Sequence, residues 1–132
     1  IDKVALMEQA KEVLKNAYCP YSKFPVGAAV LYKDGRVITG ANIENVSFGV
    51  TNCAERSAIF YGASQGYRKG DILAIAVAGK TEGFLPPCNI CRQVIVEFCG
   101  PDTPVFLLNG KGEILELRLE ELVPYSFVSL EM

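Results

Sequence analysis

The chain opens with apolar residues spaced for one face of an α-helix. Over the first seventeen residues they recur three or four positions apart, and charged residues occupy the other side. The apolar face consists of Leu6, Ala10, Val13, Leu14 and Ala17. Pro20 stops the pattern, because proline cannot continue a helix. The segment therefore predicts a surface helix that packs on a core.

Five later segments have the pattern of β-strands. They are Val26 to Tyr32, Arg36 to Thr39, Ile72 to Ala78, Pro104 to Leu108 and Glu113 to Leu117. Asp34-Gly35 lies between the first two and is typical of a two-residue hairpin turn. The third segment is continuously apolar, which predicts a strand buried on both faces of its sheet.

Two further helices are predicted, and each begins at a cysteine. The segment from Cys53 to about Ser64 is apolar nearly all round, which indicates a buried helix. The next helix begins near Cys88, and its apolar stripe consists of Cys91, Val94, Ile95 and Phe98. Leu119 to Leu122 is a fourth, short candidate helix.

The order helix, hairpin, helix, strand, helix, strand, strand predicts an α/β fold. We expect a single mixed β-sheet of about five strands with helices on both faces. The two cysteine-bearing helices should then lie side by side. A chain of 132 residues, half of them apolar, predicts one domain over residues 1–132.

Charge and composition exclude several classes of partner. The net charge is −2, so no electrostatic surface for a nucleic acid polymer is expected. No apolar run approaches the roughly 18 residues that a membrane span needs, so no membrane partner is expected. Five cysteines without a signal sequence favour reduced thiols in the cytoplasm.

The chain has no histidine, which removes Ser-His and Cys-His nucleophilic arrangements. Proton transfer near neutral pH must then fall to a carboxylate, a thiol or a metal-bound water. Cys53, Cys88 and Cys91 together offer three thiolates, and Glu55 stands beside the first. Three protein ligands leave a tetrahedral zinc with an open fourth position, as a catalytic zinc requires.

The predicted helix starts suit thiolate ligands. Unpaired backbone N–H groups and the positive end of the helix dipole both favour negative charge there. Arg56 lies three residues after Cys53, on the same side of its helix, and Arg92 follows Cys91. Both arginines are expected to place positive charge beside the ligands.

Three other interpretations of these residues remain open. The Cys-x-x-Cys pair could be a thiol redox pair. Cys19 could complete a closed structural zinc site, whereas Cys99 lies about 12 Å along the helix from Cys91 and is too distant. Glu55 could form a capping box with Asn52, three residues earlier.

Two loops have features suited to a pocket. The segment from Tyr18 to Pro25 contains three aromatic residues and two prolines, so it either lines a pocket or covers the core. Asn42 and Glu44 flank Ile43, and in an extended segment residues two apart share a face. They could therefore contact one ligand, although a solvated loop is the plainer alternative.

These segments together resemble the small cytidine deaminases. Cys53-Ala54-Glu55-Arg56 and Pro87-Cys88-x-x-Cys91-Arg92-Gln93 are similar to the zinc signature of that family, in its three-cysteine variant. The similarity extends to Tyr21-Ser22-Lys23-Phe24, to Asn42-Ile43-Glu44-Asn45 and to the end near Phe127. It implies a cytidine deaminase-like α/β/α sandwich, one Zn²⁺ per chain and hydrolysis of cytidine and 2′-deoxycytidine to uridine and 2′-deoxyuridine. It also implies a homotetramer with shared active sites.

The resemblance assigns the metal and catalytic residues. It implies that Cys53, Cys88 and Cys91 are the zinc ligands. Glu55 would be the residue that moves protons during the reaction. Arg56 would donate hydrogen bonds to the ligand sulfurs.

The same resemblance assigns the residues that bind a pyrimidine nucleoside. Asn42 and Glu44 would hold the ribose 3′-hydroxyl, and Phe24 would pack on the base. The backbone near Ala54 would contact the edge of the base. Phe127 would belong to the pocket of a neighbouring subunit. A deaminase of a cytosine-bearing antibiotic such as blasticidin S, or a non-catalytic zinc module, is the alternative.

Overall fold

The structure, a computed structural model, describes residues 1–130. Its five strands are β1 (Val26–Tyr32), β2 (Val37–Ala41), β3 (Ile72–Gly79), β4 (Pro104–Leu108) and β5 (Ile114–Arg118). They form one mixed sheet in the order β2-β1-β3-β4-β5. β3 and β4 pair in parallel, and the other neighbours are antiparallel. The prediction of a single mixed sheet is confirmed.

The helices are α1 (Lys3–Glu12), α2 (Ala54–Ser64), α3 (Asn89–Phe98) and α4 (Leu119–Leu122). Asp2 caps the first of them, because its carboxylate accepts a hydrogen bond from the Ala5 N–H at 3.0 Å. The prediction of one regular helix up to Pro20 was too long. α1 ends at Glu12 and tightens into a 3-10 helix over Val13–Asn16, after which the backbone is extended.

Helices cover both faces of the sheet, as predicted. α1 packs on one face, where β3 presents the small side chains of Ala74, Ala76 and Ala78. α2, α3 and α4 pack on the other face, against Ile75 and Val77 of the same strand. This division follows from the alternation of side chains along a strand.

The predicted strand boundaries need small corrections. β2 begins one residue later than expected and extends to Ala41, and β5 spans Ile114–Arg118 rather than Glu113 to Leu117. In β3, burial on both faces holds from Ala74 to Ala78, whereas Leu73 is 41% exposed. No helix within residues 1–130 has the length and apolar character that crossing a bilayer requires.

Strand direction determines where the connecting loops meet. β2 and β3 are both antiparallel to β1, and β4 is parallel to β3, so these three strands end at the same edge of the sheet. β1 begins at that edge, since Val26 pairs with Gly79 and Gly27 pairs with Ala41. The segments that precede β1 and follow β2 and β3 therefore converge there.

Candidate metal centre and substrate cleft

Three cysteine sulfurs meet where α2 and α3 begin. Cys53 is the N-cap of α2, Cys88 is the N-cap of α3, and Cys91 lies in the first turn of α3. The three Sγ atoms lie within 4.8 Å of one another, and those of Cys53 and Cys88 are 3.7 Å apart. Zn–S bonds of about 2.3 Å in tetrahedral geometry place two sulfurs roughly 3.8 Å apart. The donor set therefore fits a zinc ion.

The surroundings of the sulfurs favour negative charge. The backbone N–H of Cys91 donates to the Cys88 sulfur at 3.4 Å, and the Arg56 guanidinium donates to the Cys53 sulfur at 3.3 Å. Hydrogen bonds from the Cys91 thiol and from Arg56 lower the pKa of Cys53 to about 5. The pKa of Cys91 is raised, because its thiol hydrogen bonds with Cys53 and is buried. Arg56 thus lies beside the Cys53 sulfur, and its role toward a zinc ligand stays a prediction.

Arg92 was expected to place positive charge beside the ligand sulfurs, but its hydrogen bonds go to backbone carbonyl groups. Its Nε donates to the Pro87 carbonyl and its Nη1 donates to the Leu122 carbonyl, both at 2.8 Å. Carbonyl oxygens are better acceptors than thiol sulfur, so these two groups hold the guanidinium. Arg92 thus ties the residue before Cys88 to the end of α4.

Glu55 is a buried carboxylate in the first turn of α2. It is 3% exposed, and burial raises its pKa to about 7. It does not form a capping box with Asn52, because the N-cap is Cys53 and the Asn52 side chain donates to Ser57 Oγ at 3.2 Å. The capping interpretation was therefore wrong.

The other two cysteines lie apart from the sulfur cluster. Within the part of the chain that the structure describes, the cluster consists of Cys53, Cys88 and Cys91, and Cys19 is not among them. Cys99 belongs to the apolar core and is 5% exposed. A site closed by a fourth cysteine has no support in this geometry.

A cleft of about 330 Å³ opens over the sulfurs. Seven residues predicted for the site line it, namely Phe24, Asn42, Glu44, Cys53, Ala54, Glu55 and Cys88. Cys91 is buried, and Phe24 is 44% exposed at the side of the cleft. The structure therefore brings together residues that are up to 64 positions apart in the sequence.

Asn42 and Glu44 point inward together. Each is 8% exposed, whereas Ile43 between them is 46% exposed, as the alternation in an extended segment predicts. Asn42 Nδ2 donates to the Phe24 carbonyl at 2.8 Å, and Asn42 Oδ1 accepts from the Val26 N–H at 2.9 Å. The solvated-loop alternative is excluded for both side chains.

Glu44 holds the loop that precedes β1. Its Oε1 accepts hydrogen bonds from the Tyr21 N–H at 3.0 Å and from the Ser22 N–H at 3.1 Å. Its Oε2 accepts one from the Ser22 hydroxyl. The hydrogen bond from the Ser22 hydroxyl is the main reason that the pKa of Glu44 lies below its usual range.

Phe127 lies outside the cleft lining of its own chain. Its side chain is 58% exposed, and its carbonyl accepts a hydrogen bond from Gln93 Nε2 on α3 at 2.9 Å. Its place in the pocket of a neighbouring subunit stays a prediction.

Sequence reasoning missed some residues of the cleft. Ser22, Thr51, Leu85 and Pro86 also line it. Ser22 lies within the Tyr-Ser-Lys-Phe segment already singled out, but nothing local indicates that its hydroxyl reaches Glu44. Leu85 and Pro86 come just before Cys88, and apolar residues so close to a metal ligand are a signal that could have identified them.

A protein-family model matches residues 2–107, and its description is the cytidine and deoxycytidylate deaminase zinc-binding region. The match spans both cysteine-bearing helices. It ends before β5 and α4.

Individual proteins extend this similarity along the chain. A cytidine deaminase of Halalkalibacterium halodurans is 50% identical over 132 residues, covering 100% of this chain and 98% of that protein. The crystal structure of a cytidine deaminase from Burkholderia pseudomallei superposes with a TM-score of 0.90 at 46% identity, covering 93% of this chain and 97% of the other. A blasticidin-S deaminase of Bacillus cereus is more distant, with 32% identity over 129 residues, covering 92% of this chain and 89% of that protein.

Proposed function

The chain belongs to the zinc-dependent cytidine deaminases, and we propose that it hydrolyses cytidine and 2′-deoxycytidine to uridine and 2′-deoxyuridine. Water supplies the oxygen that becomes the 4-oxo group, and the 4-amino group leaves as ammonia. The observation that supports this best is the shared cleft. Three sulfurs that fit zinc and the buried Glu55 lie in one space with Asn42 and Glu44.

Cys53, Cys88 and Cys91 would hold one Zn²⁺. When bound, zinc supplies a Lewis acid that makes water nucleophilic near neutral pH. Three thiolates exceed the charge of the ion, and Arg56 and the two helix N-termini offset part of that excess. A chain without histidine can therefore assemble a catalytic centre.

Glu55 is proposed to move the protons of the reaction. Its carboxylate would take a proton from the attacking water and deliver one to N3 of the base, which makes C4 more electrophilic. After the oxygen has added to C4, Glu55 would take the proton of the new C4 hydroxyl and pass it to the amino group, so that the C4–N bond breaks, ammonia leaves and the 4-oxo group forms. One carboxylate can do both, because the two transfers follow one another. The position of Glu55 supports this role, because Glu55 lines the cleft two residues after Cys53.

The remaining cleft residues are proposed to bind the nucleoside. The Phe24 ring would pack against the flat base. Asn42 keeps one amide hydrogen and Glu44 keeps acceptor capacity beyond the loop contacts described above, which leaves both able to bind sugar hydroxyls. The N–H of Ala54, at the start of α2, would contact the base edge, since first-turn N–H groups lack intrahelical partners.

The charge of the cleft favours a nucleoside over a nucleotide. Among the described residues that line it there is neither lysine nor arginine, while Glu44 and Glu55 are both present. A phosphate group inside the cleft would meet these carboxylates and no cation among the described lining residues. The blasticidin S alternative is weaker, because that relative is the less similar one and because Asn42 and Glu44 suit a plain sugar.

We also propose that the chain works as a cytoplasmic homotetramer. Large apolar side chains are exposed at Val46, Phe48, Val50 and Phe127, and exposed apolar patches often mark contacts between subunits. The five cysteines are free thiols, as a reducing compartment would keep them. Sedimentation equilibrium of the purified protein tests the tetramer, and a monomer or dimer would contradict it.

The proposed activity is tested by measuring zinc content beside the ultraviolet change as cytidine becomes uridine. We expect one zinc per chain, loss of turnover on chelation and recovery when zinc is restored. Blasticidin S and 2′-deoxycytidine 5′-monophosphate serve as comparison substrates. A zinc-loaded protein that deaminates neither cytidine nor 2′-deoxycytidine would overturn the proposal.

A further inference from the structure

We propose that Ser22 is a positioning residue that links the sugar-binding carboxylate of Glu44 to the base-facing ring of Phe24. This assignment rests on the proposed deaminase function. Ser22 lines the cleft and is also exposed to solvent. No role follows for it from the chemistry of the metal centre.

The hydroxyl of Ser22 makes two hydrogen bonds, one as donor and one as acceptor. It donates to Glu44 Oε2, and its oxygen accepts from the Phe24 N–H at 3.1 Å. The Ser22 N–H adds a third contact, to Glu44 Oε1 at 3.1 Å. A single side chain thus joins the carboxylate to the backbone of the aromatic residue.

Side chains hold both backbone polar groups of Phe24. Its N–H donates to Ser22, and its carbonyl accepts from Asn42 Nδ2 at 2.8 Å. The residue before it, Lys23, has a φ of 59°, in the left-handed region where a residue other than glycine needs support from its surroundings. The direction of the Phe24 ring therefore depends on Ser22 and Asn42.

The proposed contacts to the sugar and to the base consequently form one connected unit. Asn42 and Glu44 are the residues proposed for the sugar, and both also hold the loop that presents Phe24. Removing the Ser22 hydroxyl would free the Phe24 N–H and take one donor from Glu44. Glu55 and the sulfurs lie on α2 and α3, so the chemical step should be spared.

Ser22→Ala tests this assignment by steady-state kinetics with cytidine. We expect KM to rise roughly tenfold, as the loss of a hydrogen bond to a charged group implies, with kcat changed by less than about twofold. Ser22→Thr keeps a hydroxyl and should restore most of the affinity. Ser64→Ala is the matched control, because Ser64 Oγ donates to the Phe60 carbonyl of its own helix, at the end of α2 far from the cleft.

A second substrate and a double variant separate this role from a simple sugar contact. 2′,3′-Dideoxycytidine lacks the hydroxyls proposed to face Glu44, yet its KM should still rise in Ser22→Ala, because the Phe24 ring is displaced. In a Phe24→Ala background, Ser22→Ala should have a much smaller effect on KM. Uridine binding measured by calorimetry should weaken in parallel with KM.

The outcomes distinguish this assignment from the proposed function. An active wild type whose Ser22→Ala variant keeps its KM for both substrates overturns the assignment alone. So does a Ser22→Thr variant that recovers nothing, or additive effects of Ser22→Ala and Phe24→Ala. A zinc-loaded wild type that turns over no cytidine overturns the proposed function and the assignment together.

Discussion

Glu55 lies two residues after Cys53 and is almost completely buried, a costly place for a carboxylate with no catalytic use. Burial raises its pKa, so the side chain is poised to hold and to release a proton. Its neighbour Arg56 donates to the Cys53 sulfur and is not among the described residues that line the cleft. Adjacent residues of one helical turn thus have separate proposed tasks.

Replacing Glu55 with glutamine should separate metal binding from catalysis. Glu55→Gln keeps the size of the side chain but cannot move protons, so we expect kcat to fall by about 10²-fold to 10⁴-fold with zinc content unchanged. Metal analysis and the cytidine assay on the same preparation measure both. Undiminished turnover would remove Glu55 from the mechanism.

Replacing a sulfur of the cluster should remove the metal. In Cys91→Ala we expect loss of zinc and of activity together, because two remaining thiolates do not complete the site. Cys19→Ala is the matched control, since Cys19 lies outside the cluster and should leave zinc content at the wild-type level. Stoichiometric zinc in Cys91→Ala would show that a different set of ligands holds the ion.

The meeting of the three cysteine sulfurs was predictable from the local pattern, whereas the roles of the site residues stay predictions. Cysteines at two helix starts beside a glutamate indicate a metal site, and the structure brings those sulfurs together. The partners of Arg92 and Ser22 could not be predicted. Arg92 bonds the Leu122 carbonyl, 30 positions away, and Ser22 bonds Glu44, 22 positions away, and no local pattern specifies such a distant acceptor.

At the level of elements, every predicted helix and strand is present, with boundaries shifted by a few residues. Periodicity indicates an element because the element repeats locally. The sheet order β2-β1-β3-β4-β5 depends on contacts between distant segments, and the sequence pattern left that order open. α2 follows β2 and α3 follows β3, and the shared direction of these two strands places both cysteine-bearing helix starts at one edge.

Close contact between α2 and β2 depends on Gly40. A Cβ atom there would lie 2.6 Å from the Ala58 nitrogen and 2.7 Å from the Ala54 carbonyl oxygen. Both are backbone atoms, which can move only if the whole helix moves. We expect Gly40→Ala to lower the free energy of unfolding by about 1–3 kcal/mol through overpacking. Urea denaturation measures the loss.

The same variant should also disturb the site, because Ala54 follows Cys53 directly. A reduced zinc affinity in chelator competition would accompany the loss of stability. Gly49→Ala is the matched control, since a Cβ at Gly49 meets no atom within 4 Å. Wild-type stability in Gly40→Ala would mean that α2 can move away from the sheet freely.

Across the whole molecule, the five thiols differ sharply in accessibility. Cys88 is exposed, Cys19 and Cys53 are half-buried, and Cys91 and Cys99 are buried. Burial raises the pKa of Cys99 to about 12, so its thiol stays protonated and unreactive at neutral pH.

That residues 1–132 make up one domain stays a prediction.

Alkylation of the native protein should follow this ranking once the metal is removed. With zinc bound, we expect Cys19 to be labelled first, and chelation should add Cys88, which the metal otherwise protects. Cys99 should react only after unfolding. Mass spectrometry of peptides from samples alkylated at pH 7 to 8 measures the order. Early labelling of Cys99 in the native protein would contradict its place in the core.

The hairpin between β1 and β2 turns over residues 33–35, one residue more than the predicted two-residue turn, because Tyr32 and Arg36 are the last pair joined by a backbone hydrogen bond. The turn lies at the end of the strands opposite to Phe24 and Asn42. The length of both strands separates this turn from the sulfur cluster. Gly35 has a φ of 90° and open space around it. An attachment at this turn, such as a fluorophore, an affinity tag or a surface tether, would therefore leave the entrance of the cleft clear. The turn is thus a suitable site for immobilising the enzyme.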